Sequence, residues 1–161
     1  MDRLAKEILR DVSLDEIQPK PQKPVNPVDH WTPPVLLERA AYLRKLARAG
    51  DGQASETLRE YPQHRAMLSF RSRSGEVEVH EKFAYLLYVL AGEAVLTTGG
   101  TVAGARIVSP GETRGDSIEG GSRQPLRAGE VVHVPAGIPH QFLVSGDKTV
   151  TCLVMKIQEA A

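Results

Sequence analysis

The spacing of hydrophobic residues changes near residue 63, and the change divides the chain. Before it, apolar residues fall at helical intervals. Leu4, Ile8, Leu9 and Val12 recur three and four residues apart, which predicts one or two short amphipathic helices over residues 1–18. Pro19, Pro21, Pro24, Pro27, Pro33 and Pro34 then punctuate residues 19–34. Each ring fixes φ and removes an amide donor, so this stretch reads as an extended arm, with Trp31 as an anchor on a neighbouring surface. A firmer helix follows. Thr32 is placed to cap it, Pro33 and Pro34 suit its first turn, and Val35, Leu36, Ala40, Leu43 and Leu46 line one face before Gly50-Asp51-Gly52 stops it. Ser55 to Tyr61 reads as one more helical piece, ended by Pro62.

From His64 onward, short runs rich in Val, Leu, Phe and Tyr alternate with Gly, Pro and Ser. The predicted strands are Arg65–Arg71, Val77–Phe83, Leu86–Leu90, Ala94–Thr98, Arg106–Val108, Val131–Val134, Gln141–Val144 and Thr149–Ile157. Many short strands without intervening helices indicate an all-β sandwich or barrel. The organisation expected is therefore residues 1–62 as N-terminal helices and proline-rich arm, and residues 63–161 as the β-barrel. Residues 99–125 hold seven glycines and read as a loop excursion or an added hairpin; they lack the spacing of a phosphate-binding loop. Arg106, Arg114 and Arg123 in this stretch either select an anionic substrate or pair with Glu112, Asp116 and Glu119 on a solvated surface.

Composition narrows the function classes. The 161 residues suit one domain with an appendage. Lys plus Arg equals Asp plus Glu at 20 each, so the basic excess that neutralises phosphates is missing and nucleic acid is not the expected partner. A lone Cys152, set in an apolar strand, cannot form an intrachain disulfide and reads as a buried, inert thiol. No run approaches the ~20 apolar residues of a membrane helix, so no membrane partner is expected. Met1–Arg10 is charged throughout and unlike a signal peptide, so a cytoplasmic location is expected.

Two segments carry a more specific signal. In Gly129-Glu-Val-Val-His-Val-Pro135-Ala-Gly137-Ile-Pro-His140, a turn leads into a strand, Pro135 and Gly137 make a tight turn at its far end, and His140 opens the next strand. This resembles the second cupin motif, departing only where Val144 replaces a terminal Asn. The stretch from Gly75 to Glu93 resembles the first motif: Tyr88-Val-Leu-Ala-Gly-Glu93 matches its strand and turn, and His80 matches the first histidine of its His-x-His pair. Lys82 stands where the second histidine belongs, and Tyr85 where the usual glutamate belongs. The resemblance spans residues 64–157. It implies a cupin jelly-roll β-barrel with a helical and extended N-terminal region, a homodimer, and a divalent metal (iron, manganese, nickel or zinc) inside the barrel.

The ligand set is depleted. His80 and His140 remain as metal ligands, and Tyr85, waters or Glu78, which has the same strand parity as His80, would complete the site. His140 is expected to arrive from the opposite sheet. By the same parity Lys82 shares His80's face, and in a confined barrel it becomes available as an acid or base, alongside Tyr85. A metal-free pocket in which Lys82, Tyr85 and the histidines meet a ligand directly is the rival, and a salt bridge from Lys82 to Glu78 or Glu81 is the plain alternative for that lysine. His133 reads as a packing residue and His64 as a rim residue. Three functions stay open: a small-molecule enzyme, metal-dependent, of oxygenase or of isomerase or lyase type; a non-catalytic ligand-binding or sensing module; and a structural protein with a vestigial pocket.

Overall fold

The structure is a computed structural model that describes residues 28–159. The helices predicted over 1–18 and most of the proline-rich arm lie outside the described residues. Residues 28–31 carry no helix or strand, and the unit that contains the barrel begins at Thr32. Its helix, α1, spans Pro33–Ala49. Thr32 sits at the cap position in extended conformation, yet its hydroxyl makes no cap bond. Pro33 and Pro34 have no N–H, so much of the demand for a cap is removed. The buried face of α1 is Leu36, Ala40, Leu43 and Ala47, while Val35 and Leu46 are exposed. Burying such leucines contributes roughly 1.5–3 kcal/mol each.

All strand pairs are antiparallel. They are β1 (Gln53–Glu60), β2 (His64–Arg71), β3 (Val77–His80), β4 (Phe83–Thr98), β5 (Thr101–Ala103), β6 (Arg106–Ser109), β7 (Glu112–Gly115), β8 (Ser117–Glu119), β9 (Ser122–Arg127), β10 (Val131–Val134), β11 (His140–Leu143) and β12 (Val150–Gln158). One sheet runs β1-β2-β12-β4-β10 and the other β9-β4-β11-β3-β7-β6, with β5 and β8 as a separate ribbon. This is the jelly-roll arrangement expected.

Ser55–Tyr61 is not helical: Gln53–Glu60 is a strand paired with β2. Its residues alternate in burial, and its ladder to β2 outweighs the helix propensity of Glu56, Leu58, Arg59 and Glu60. Ala66, Leu68 and Phe70 of β2 are buried on the outer side, where α1 lies against β1 and β2. There Arg39 grips Glu56 at 2.5 and 2.6 Å.

The two strands predicted at Leu86–Leu90 and Ala94–Thr98 are one strand, β4. Its first half pairs β12 and β10, and its second half pairs β11 and β9. The change of sheet occurs at a bulge beside Gly92, whose φ is +78°. A Cβ there would lie 2.0 Å from the Thr149 carbonyl oxygen, so only glycine fits. The glycine-rich stretch forms β5 to β8, the hairpins that were one of the two expected outcomes. Among the described residues, no helix is long and apolar enough to cross a membrane.

The apolar interior between the sheets includes Leu87, Val89, Leu96, Leu126, Val134, Phe142, Val150, Cys152 and Val154. Burial pushes the Cys152 thiol up to about 12, consistent with an inert side chain.

Candidate metal centre

The two motif segments meet through backbone bonds. The Pro135-Ala-Gly137 turn hooks onto the first motif: Gly137 N–H donates to the His80 carbonyl at 2.8 Å, and Gly137 holds φ +78°. Gly99 N–H donates to Pro139 O at 2.9 Å, which fixes the entry to β11. His140 then opens β11 directly opposite Glu78 of β3. The two histidines therefore lie on neighbouring strands of one sheet, and the expectation that His140 reaches across from the other sheet is corrected. The ladder between β11 and β3 places their side chains on one face at close range.

His80 and His140 are 2% and 3% exposed, with ring centroids 5.4 Å apart. In His140, Nδ1–H donates to the Ile138 carbonyl at 3.1 Å. That bond sets the tautomer and leaves the lone pair on Nε2. His140 Nε2 is buried without a hydrogen-bond partner, 4.0 Å from Glu78 Oε2. Burial, opposed by the Ile138 and Glu78 contacts, holds the His140 pKa below its ordinary value, so the ring is neutral at neutral pH. His80 meets Glu112 Oε2 through Nδ1 and lies 3.1 Å from Glu78 Oε2 through Nε2. A proton or a metal ion must lie between that nitrogen and that oxygen for their lone pairs to approach so closely.

Burial raises the Glu78 pKa, but His80, Arg71, His140 and Arg114 outweigh it and hold the carboxyl at about 2. Glu112 is likewise held below the carboxylate range, its desolvation overcome by His80 and Lys156.

Glu78, His80 and His140 thus present one oxygen and two nitrogens within 4.8 Å of one another. This set fits a divalent metal. The donors are those of a two-histidine, one-carboxylate site. A buried imidazole nitrogen lacks any other partner, and each histidine is oriented through its second nitrogen, as in metal centres generally. Bonds of about 2.0–2.1 Å would draw the three atoms slightly closer.

Tyr85 reaches the centre from the other sheet. Its ring lies 4.5 Å from that of His80 and 5.3 Å from that of His140. Burial, with Glu78 and Glu112 nearby, pushes the phenol above its ordinary pKa, so without a metal ion Tyr85 stays protonated.

Lys82 does not join this pocket. Strand β3 ends at His80, and Lys82 is exposed in the turn before β4, so strand parity no longer applies to it. The lysine inside is Lys156 of β12, 5% exposed, opposite Tyr85 in the ladder. Its Nζ lies 3.3 Å from Glu112 Oε1, 4.8 Å from the Phe83 ring centroid and 5.5 Å from that of Tyr85. Desolvation lowers its pKa against the opposing pull of Glu112. Lys156 had a signal in the sequence, as a charge at the inward parity of Val150, Cys152 and Val154. Arg71, at the end of β2, donates to Glu78 Oε1 at 3.2 Å and had none. Glu112 and Arg114 do pair, at 3.4 Å, but at the centre rather than on a solvated surface. His133 is exposed rather than packed, and His64 stacks on Tyr61 with centroids 4.3 Å apart.

No protein-family model matches the chain, and no curated protein matches it by sequence. Solved structures do match. The TT1209 protein of Thermus thermophilus is 19% identical, with 77% of this chain and 95% of that one covered and a TM-score of 0.54. A conserved Klebsiella pneumoniae protein with a double-stranded β-helix domain is 15% identical over 66% of this chain and 77% of its own, with a TM-score of 0.50. A cupin superfamily protein of Desulfitobacterium hafniense is 19% identical over 68% and 81%, with a TM-score of 0.47. The described chain has the cupin fold, a double-stranded β-helix.

Proposed function

We propose that this protein is a metal-dependent enzyme of isomerase or lyase type that acts on a small oxygen-bearing substrate. The observation that carries the reading is the buried, partnerless Nε2 of His140, aimed into a cluster that Glu78 and His80 complete. A divalent ion held by these three residues supplies a Lewis acid for a substrate oxygen. Glu112 and the Ile138 carbonyl keep the two imidazoles turned so that Nε2 faces inward. The Tyr85 ring lies beside both imidazoles, and its phenol is the proton donor assigned to the substrate in this reading. The apolar interior beyond Phe142 keeps bulk water from that side of the centre.

The test begins with metal-depleted protein titrated separately with iron(II), manganese, nickel and zinc, followed by elemental analysis. Stoichiometric uptake of at least one ion is expected, and its loss in His140→Ala with an unchanged circular dichroism spectrum. Failure to take up all four ions overturns the reading. The loaded protein is then incubated with a panel of hydroxy and carbonyl compounds. Product formation, strongly reduced in Tyr85→Phe while metal content is kept, is the expected result. Ligand binding without product would mark a sensing module instead.

A further inference from the structure

A cavity of about 440 Å³ opens beside the centre, lined among others by Ser55, Ser69, Arg71, Glu78 and Arg114. That volume is in the range of small-molecule sites. Glu78 belongs to both the cavity wall and the ligand cluster, so a molecule in the cavity meets the centre at Glu78, with the two histidines behind that wall.

Two guanidinium groups flank Glu78. Arg71 is held by Glu78 Oε1 at 3.2 Å and by the Gln53 side chain, with its guanidinium carbon 5.4 Å from the Phe142 ring centroid. Arg114 stands opposite Glu78 in the β3–β7 ladder. Its Nη1 bonds Thr113 O at 3.1 Å and Glu112 Oε2 at 3.4 Å, which leaves Nε and Nη2 for a ligand. Their side chains are 17% and 25% exposed, so both are ordered by the pocket yet reachable from it.

The charges around the centre do not balance. Arg71, Arg114 and Lys156 face Glu78 and Glu112, an excess of one positive charge. A divalent ion raises the excess to three. Uncompensated charge in a part-buried pocket is costly, and an anion removes the cost. Asp51 and Glu76 also line the cavity, but both are exposed at its rim, where solvent and salt screen them; Glu76 is moreover paired with Arg106. Arg106 is turned to that rim pair and Arg123 is exposed on β9, so neither serves the pocket.

We propose that the pocket takes a small organic acid bearing an oxygen next to its carboxylate, a 2-hydroxy or 2-oxo acid. The carboxylate lies between Arg71 and Arg114, for which a planar two-oxygen anion is the natural partner of a guanidinium fork. The neighbouring oxygen is turned toward Glu78, the residue that the cavity shares with the ligand cluster. This rests on the metal-centre reading and adds to it the class of substrate and the residues that select it.

The experiment is calorimetric titration of the metal-loaded protein with glycolate, its neutral isostere glycolamide and inorganic phosphate, with metal content measured on the same samples. Glycolate is expected to bind, and glycolamide about tenfold more weakly or worse. Arg114→Gln is expected to weaken glycolate by about tenfold with metal content and melting temperature kept, and Arg114→Lys to recover part of the loss. Equal binding of glycolate and glycolamide, no effect of Arg114→Gln, or phosphate binding tighter than glycolate overturns the proposal. The failure of the metal reading looks different: glycolate binding that depends on Arg114 in a protein that takes up no metal. Should Arg114→Gln not fold, the comparison of glycolate with glycolamide on the unaltered protein still decides.

Discussion

The two halves of the barrel interior are built from the same strands and have opposite chemistry. On β12 the inward residues run Val150, Cys152, Val154 and then Lys156. On β11 His140 is followed by Phe142, and on β4 Tyr85 by Leu87 and Val89. A step of two residues along each strand passes from a charged centre to a close-packed apolar core. The core half supplies stability through area removed from water. The centre half spends some of it, since burying ions is compensated only where every partner is in place. The contrast shows how a small sheet can hold three potential metal ligands rigidly: the packed half fixes the backbones from which the polar half projects.

The largest predicted effect is in the packed half. Leu87→Ala should lower the free energy of unfolding by about 2–5 kcal/mol in urea denaturation. The folded fraction should still take up metal, and loss of uptake in that fraction would show that the halves are not separable. In the polar half, Lys156→Ala should cost about 1–3 kcal/mol by leaving Glu112 without its buried cation, with Lys156→Met milder because it keeps the packing. Equal stability of Lys156→Ala and the parent would mean that the ion pair contributes nothing net.

Glu112→Gln sharpens the contrast by touching function more than stability. Metal affinity should drop about 10–100-fold through the altered hold on His80 Nδ1, read by competition with a chelator. Acid titration of the metal-free protein should show a smaller effect with a fixed sign. Glu78 is held at about 2 against an ordinary 4.5, so its contribution is present above pH 4.5 and lost as pH falls toward 2. Glu78→Gln should flatten the stability profile in that window. The smallest effect belongs to an ion pair outside the barrel: Arg39→Ala, freeing Glu56 on the helix face, should cost about 1 kcal/mol or less.

The sequence is legible where chemistry depends on local spacing. Gly129, Pro135, Gly137 and His140 mark a turn and a strand start, and His80 and Glu78 share a face by alternation alone. Legibility fails where tertiary context decides. Nothing local says that β3 ends at His80, so alternation carries two residues too far, to Lys82. Ser55 to Tyr61 has the composition of a helix and becomes a strand only because β2 offers it a ladder. Glu112 and Arg114 sit in a glycine-rich stretch whose hairpin geometry alone delivers them to His80 and Glu78.

The bend of β4 at Gly92 bears on how the gene can be cut. One uninterrupted segment, Phe83–Thr98, serves as a rail in both sheets and carries Tyr85 on one wall and the pairing partner of His140, Thr98, on the other. Splitting the polypeptide there would detach the walls from each other. New ends belong at the exposed turn around Gly146, between β11 and β12, where the backbone has open space and no ladder is severed.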